Sequence, residues 1–219
     1  MLTAEVSNMF TQGGRGRRVH TLIFAPSFAV VERINAQLGK FGTISSDGGP
    51  IFGFSAKDLV KMVLDISPDC LLIPAHAWTP WFSIFGANSG FNSMEECFEE
   101  ETKHIRAIET GLSSDPEMNW RLSALDEITL ISNSDAHSPS KIGREANIFN
   151  CDLSYAAIAE AIRTKDPRKI LFTIEFFPEE GKYHYDGHRL CNVSFSPKET
   201  IKSGGTCPVC GKPLTIGVL

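Results

Sequence analysis

An α/β body followed by a small metal-held tail is the fold the sequence predicts, and three observations predict it. Six β-rich runs alternate with helical patterns that carry recognisable starts. Polar residues with metal-binding chemistry fall at the ends of those runs. The last forty or so residues change composition and carry paired Cys and His at two-residue gaps. The chain is 219 residues long with 42% hydrophobic and 21% charged residues and a formal charge of −5. Those proportions exclude a disordered acidic tail, a collagen-like repeat and a supercharged nucleic-acid coat. No apolar run approaches the ~20 residues that span a bilayer, and no basic stretch leads into an apolar core at the N-terminus. A cytoplasmic protein without a membrane partner is the expectation.

The elements follow in order. Leu2–Val6 and Val19–Phe24 are the first two expected strands. Ser27 can cap a helix carrying Val30, Val31, Ile34 and Leu38, closed by Gly39. Ser55 and Asp58 form a capping box before Leu59, Met62 and Val63. Cys70–Pro74 is the next strand, and Ser93 with Glu96 repeats the capping device before an acidic helix. Glu95, Glu96, Glu99, Glu100 and Glu101 read there as a solvated face, with His104 on the surface. Ile105–Glu109 precedes Asp115-Pro116, an N-cap with a first-turn proline ahead of Met118, Leu122 and Leu125. Ile128–Ser132, a helix from Ser154 to Arg163 and Ile170–Phe176 complete the series. Alternation of this kind implies parallel pairing through right-handed crossovers, in a sheet or a barrel. From Gly181 onward five Lys/Arg face two Asp/Glu. The expected division is therefore a metal-site body over 1–178 and a basic, zinc-ribbon-like tail over 179–219.

Cysteine usage supports that division. Cys70, Cys97 and Cys151 are isolated in apolar or helical contexts and read as core thiols. Cys207-Pro-Val-Cys210 is a compact knuckle, where two thiolates two residues apart fit one tetrahedral ion. His188-Arg-Leu-Cys191 repeats the gap upstream, giving a Cys3His structural zinc set with His184 as a competing nitrogen ligand.

In a parallel α/β body, ligands bind beyond the carboxyl ends of the strands. Glu5, His76, Glu109, Asp135 and His137 fall at such ends. Imidazoles and carboxylates gathered there make a multi-metal hydrolase site that can neutralise a phosphate. Asp135 and His137, two apart in extended chain, project the same way. Glu109 has the weaker case as a ligand, because it can equally accept hydrogen bonds or orient a neighbour. The donor set admits Zn, Mn or Fe.

Three long blocks carry a resemblance. They are Leu72-Ile-Pro-Ala-His-Ala-Trp-Thr-Pro-Trp-Phe, Glu109-Thr-Gly-Leu-Ser-Ser-Asp-Pro and Ile131-Ser-Asn-Ser-Asp-Ala-His-Ser-Pro-Ser-Lys-Ile-Gly-Arg-Glu-Ala-Asn. Together with the His188…Cys210 tail, they resemble endonuclease Q, a nuclease with a polymerase-and-histidinol-phosphatase (PHP) domain and an attached zinc-binding region. The resemblance implies a distorted (β/α)7 barrel with a di- or trinuclear metal centre. It also implies cleavage of DNA on the 5′ side of deaminated bases or abasic sites. Glu5 then matches the bridging glutamate, and His20, His76, Asp135 and His137 match further ligands. The assignment of His20 rests on the resemblance alone. Arg144 is a phosphate contact or a surface ion pair. Trp78 and Trp81 stack on an extruded base or pack beneath their loop. The family's opening His-x-His has no counterpart here, so the barrel is expected to be incomplete and the sequence to be truncated at both ends. Weak activity and self-association through an exposed sheet edge follow as expectations.

A metal-dependent DNA repair endonuclease is the leading functional reading. A small-molecule phosphatase of the same superfamily and a non-catalytic nucleic-acid-binding module with a degenerate barrel are the alternatives. Arg15-Gly-Arg-Arg18 and the tail supply cationic surface on an otherwise acidic chain, unless Arg15–Arg18 is only a mobile loop beside Gly13-Gly14.

Overall fold

Gly13 and Gly14, both at positive φ (60° and 71°), turn the chain between strands β1 (Leu2–Gln12) and β2 (Arg15–Ala25). A two-residue turn with both φ values positive matches the twist of an antiparallel hairpin, and the register runs unbroken from Leu2↔Ala25 to Gln12↔Arg15. The expected parallel pairing of the first two strands is thereby corrected. So is the mobile loop at Arg15–Arg18, which is strand. The molecule, a computed structural model, is described here over residues 1–45 and 50–219.

Side chains alternate along β2. Arg17, Val19, Thr21, Ile23 and Ala25 are buried on one face, while His20, Leu22 and Phe24 are half-buried on the other. The first face meets helices α1 (Phe28–Leu38) and α2 (Ala56–Ile66) in the larger core, with Val6, Leu59, Val60 and Val63. The second face joins Leu71, Ile73, Ala107, Ile131, Ala159 and Ile162 in a smaller core. The hairpin is flanked by β3 (Ile51–Phe52), parallel to β1, and β4 (Leu71–Pro74), antiparallel to β2. All four β4 residues are buried, as a strand packed on both faces requires.

Three two-stranded sheets complete the described residues. Strands β5 (Ala107–Glu109) and β6 (Thr129–Ile131) are parallel, whereas β7 (Ala146–Phe149) and β8 (Ile170–Ile174) are antiparallel. In the tail, β9 (Asp186–His188) pairs antiparallel with β10 (Val193–Phe195). The α/β class stands, but the sheets are mixed. Backbone bonds extend the β4–β2 and β5–β6 pairings just beyond their strand ends and join the first sheet to the second, while Asn147 Nδ2 donates to Ser132 O at 2.7 Å and joins the second to the third. Ala75 N–H donates to His20 O at 3.0 Å, Ala77 N–H to Glu109 O at 3.0 Å, and Thr110 N–H to Ile131 O at 2.9 Å.

The helix starts follow their side-chain chemistry. Ser27 accepts from Val30 N–H, Ser55 and Asp58 form a complete capping box, and Ser154 opens α5 (Tyr155–Thr164). Gly39 closes α1 in right-handed conformation (φ −59°), not the left-handed cap expected of glycine. The acidic helix α3 (Met94–Phe98) lasts five residues and passes into a 3-10 turn over 99–104. Its carboxylates are not merely solvated. Glu96 pairs at 2.9 Å with Arg17, which is 3% exposed, and Glu99 pairs at 2.8 Å with Lys57. Arg17 also donates to Gly90 O and lies over the Phe91 ring, so it adds nothing to a cationic surface. Asp115 caps α4 (Pro116–Asn119), a single turn that ends before Leu122 and Leu125. Cys70 and Cys97 are buried; Cys151 is only half-buried, which corrects its reading as a core thiol. Among the described residues, no helix is long and apolar enough to cross a membrane.

Candidate metal centres

The hairpin register brings the first cluster together. Glu5 and Ser7 share one face of β1, and His20 on β2 lies directly opposite Ser7. Glu5 therefore sits within a strand, not at its end as the sequence suggests, and His20 lies inside β2. His76 reaches the same point from the loop after β4, two residues past Pro74. Glu5 Oε1 lies 2.7 Å from His20 Nδ1, and His76 Nε2 lies 3.2 Å from that nitrogen. The three donor atoms lie within 4.8 Å of one another. Each ring turns its outer nitrogen to a hydroxyl, His20 Nε2 to Ser7 Oγ at 2.7 Å and His76 Nδ1 to Thr79 Oγ1 at 2.8 Å. Such outer partners fix ring orientation and leave the inner nitrogens for a cation. A carboxylate with two imidazoles, all facing one point, is a fitting donor set for a divalent ion.

Electrostatics suit that use. Burial works to raise the Glu5 carboxyl, but the hydrogen bond from His20 and the nearby His20, His76 and His137 rings hold it below its ordinary range. Burial, opposed by Glu5, lowers His76 and favours the neutral, ligating imidazole. His76 holds a φ of 29°. A Cβ at Gly111 would lie 2.7 Å from His76 Cβ, so the glycine makes room for this backbone.

Asp135 and His137 stand outside the three-atom cluster. They lie in the loop after β6, where the Asp135 carboxylate acts on His76 and Glu109 and the His137 ring acts on Glu5. The loop is held by its own backbone. His137 Nδ1 lies 3.0 Å from Asp135 O and 3.6 Å from Asp135 Oδ1, leaving the His137 side chain 87% exposed. Arg144 donates to Ser134 O at 2.8 Å and Asp135 O at 3.1 Å, so it braces this loop. Glu109 is buried, and desolvation pushes its carboxyl up to about 8 against hydrogen bonds from Asn133 and His76 N–H. Ser7, Thr79, Gly111 and Asn133 went unremarked in the sequence. Each acts through spacing that only the folded register supplies, although the positive φ of Gly111 leaves a glycine as its trace.

In the tail, ligand atoms of His188, Cys191, Cys207 and Cys210 all lie within 4.8 Å of one another. Gly211, at φ 72°, lets its N–H return to Cys207 O, which closes the knuckle. Its chemistry suits one tetrahedral zinc ion. His184 does not compete. It is 3% exposed, with Nδ1 3.0 Å from Ser113 O, and it ties the tail to the body.

The two tryptophans part company. Trp78 donates to Asn119 Oδ1 at 2.8 Å and packs on Phe85, the bland outcome for a loop aromatic. Trp81 meets Tyr183 edge-on at 6.1 Å and lines a cavity of about 450 Å³ with Lys182, Tyr185 and Arg189.

Glu145 sits opposite Glu175 one step past the Ala146↔Ile174 pair. Burial first, then the Glu175 charge, push its carboxyl up to about 7 despite the hydrogen bond from Phe176 N–H. Between 4.5, the ordinary value, and 7 the folded chain holds a proton that the unfolded chain releases. This contribution to stability is complete below the lower value and is lost as pH rises through the upper one. Glu145→Gln keeps the volume and the acceptor for Phe176. We expect the variant to be more stable than the parent by about 1–2 kcal/mol at pH 8 and to show a flatter stability–pH profile. Urea titrations at pH 5 and pH 8 check this, and parallel profiles would refute it.

No family model matches the chain. Crystal structures similar to it include the lesion-specific endonuclease PfuEndoQ from Pyrococcus furiosus, with TM-score 0.80, 31% identity, and coverage of all of this chain and 52% of that one. Another is endonuclease Q in complex with a 27-mer duplex substrate bearing an abasic lesion at the active site, with TM-score 0.85, 31% identity and 53% of that chain covered. Along its whole length, the chain is similar to endonuclease Q. That likeness to endonuclease Q spans the Glu5–His20–His76 cluster and the tail cluster alike. Among curated proteins, the uncharacterised YqxK of Bacillus subtilis (strain 168) is 33% identical over 197 residues, covering 89% of this chain and 48% of YqxK. The uncharacterised MJ0043 of Methanocaldococcus jannaschii is 31% identical over 152 residues, 66% of this chain and 18% of that protein. The chain thus spans about half the length of YqxK and of the endonuclease Q structures.

Proposed function

We propose that the chain carries the metal-dependent hydrolytic centre of an endonuclease Q-type DNA repair nuclease, cutting 5′ to deaminated bases or abasic sites. The observation that carries the reading is the convergence of Glu5, His20 and His76 donor atoms, with the charges of Asp135 and His137 acting on that cluster. In this reading, the laced strands are an arc of a PHP-type (β/α)7 barrel, residues 1–178 are the catalytic body and 179–219 are a zinc-ribbon tail. The site is assigned to Glu5, His20, His76, Asp135 and His137 as metal ligands. A bound divalent cation would supply positive charge for the phosphate and a more acidic water.

The chain's own residues do the rest. Glu5, His20 and His76 would hold the cation; Arg144 keeps the Asp135 loop in place by donating to Ser134 O and Asp135 O. His137 Nδ1 is engaged by Asp135 O, which leaves its other ring nitrogen available as a ligand. Trp81, with Lys182 and Arg189 across its cavity, offers an aromatic wall and positive charge to an unpaired nucleotide. Exposed Trp120, Phe172, Ile174 and Phe177 around β8 support self-association. With three donors converging among the described residues, cleavage by this chain is expected to be slow.

The alternative of a non-catalytic nucleic-acid module draws on one fact, the position of Asp135 outside the cluster. A nicking assay decides. Duplexes with one uracil, hypoxanthine or abasic site are incubated with purified protein and Mn²⁺, Zn²⁺ or Mg²⁺, with and without chelator. A slow, lesion-dependent 5′ nick that chelator abolishes supports the nuclease. Binding to lesion DNA without any cleavage in any metal supports the module.

A further inference from the structure

We infer that Glu109 is a positioning residue that sets the spacing between the two ligand-bearing loops of the proposed centre, an inference that rests on the metal-centre reading above. Glu109 ends β5, the strand between the loop that carries His76 and the loop that carries Asp135. It is 3% exposed and touches both. Its Oε2 accepts His76 N–H at 2.7 Å, and its Oε1 accepts from Asn133 Nδ2 at 2.9 Å. Its backbone carbonyl takes Ala77 N–H at 3.0 Å, so three bonds from one residue govern where these loops lie.

The tie continues outward. Asn133 Oδ1 accepts from Asn147 Nδ2 at 3.3 Å, and Asn147 Oδ1 accepts Ser132 N–H at 2.9 Å, anchoring the second loop to β7. Both loops need such restraint. His76 and Asp135 have φ values of 29° and 44°, left-handed conformations that side-chain-bearing residues hold only where their surroundings over-determine them. A carboxyl group can do this with or without its proton, because each oxygen keeps acceptor capacity. Both of its oxygens accept, while Gln of the same size must turn an NH2 toward either His76 N–H or Asn133 Nδ2 and lose one tie.

The test is Mn²⁺ binding by the full chain, read by calorimetry and by the ion's paramagnetic resonance spectrum, for the parent, Glu109→Gln and Asn133→Ala. We expect each variant to bind about 10–100-fold more weakly, with an altered spectrum, at an unchanged unfolding midpoint. Asn133→Ala cuts the second tie and its continuation to Asn147 at a half-buried site but leaves the bond to His76 N–H, which keeps the test open should Glu109→Gln fail to fold. Parent-like affinity and spectrum in a folded variant overturn the inference, as does weaker binding that only tracks a lowered midpoint. A parent that binds no Mn²⁺ and takes up zinc only at the tail quartet overturns the metal-centre reading itself, a different result from a parent that binds and variants that bind equally.

Discussion

His76→Ala is expected to reduce lesion-dependent cleavage on the order of 10³-fold, the scale on which removing a single charge-stabilising group from a preorganised site acts. His76 is one of three converging donors, and its Nδ1 is already held by Thr79, so no other nitrogen of this loop can replace Nε2. The backbone tie from Glu109 to the N–H at position 76 survives the substitution, because it involves no His76 side-chain atom. The loop should keep its place while the centre loses a ligand. Single-turnover nicking, divalent-ion stoichiometry and a thermal melt on the same preparation separate these effects. A cleavage rate within threefold of the parent would remove His76, and with it the cluster, from the chemistry. Asp135→Ala sharpens the result. A comparable loss would place the second loop in the working centre despite its position outside the three-atom cluster, whereas an unchanged rate would confine the centre to Glu5, His20 and His76.

What was legible in the sequence follows from the range over which each signal acts. The caps at Ser27, Ser55, Asp115 and Ser154 depend on residues three positions away, and the structure bears all of them out. The tail quartet was legible for the same reason, since both halves keep a two-residue gap. Strand direction was not. Gly13-Gly14 reads as a loop until both flanks are seen to pair, and the hairpin it makes changes the neighbourhood of everything on β1 and β2. Arg17 shows the cost, because in sequence it belongs to a cationic run, yet in space it is a buried partner of Glu96, which lies seventy-nine positions further along the chain. His20 suffers the opposite fate. Flanked by Val19 and Thr21, it looks like strand filler, and only register places it across from Ser7 and beside Glu5. The positioning groups Thr79, Gly111 and Asn133 leave no periodic pattern, so they surface only when distances are known.

Removing zinc from the tail is expected to unfold it while leaving the α/β body intact. Apart from the quartet, the tail has little to hold it. Strands β9 and β10 have three residues each, and α6 (Pro197–Lys202) has six with only Thr200 buried. Elements this short do not persist without a staple, whereas a structural zinc ion in a small module contributes roughly 10–16 kcal/mol. Cys207 shows how the site is prepared. Although desolvation works the other way, the N–H groups of Cys210 and Val209 pull its thiol below the ordinary range, toward the thiolate that binds metal. The body has separate means of support in its two apolar cores and its laced sheets. Hydrogen exchange should therefore report loss of protection at Gly187 and Thr215, which bond to each other, and at Val218 and Leu219, which donate to His184 O. Protection in β1, β2 and β4 should persist. Cys207→Ser should reproduce the chelator effect and bind less than one equivalent of zinc. Retained protection at Gly187 and Thr215 in a zinc-free sample would show that packing against Ser113 and Trp81, not the ion, holds the tail in place.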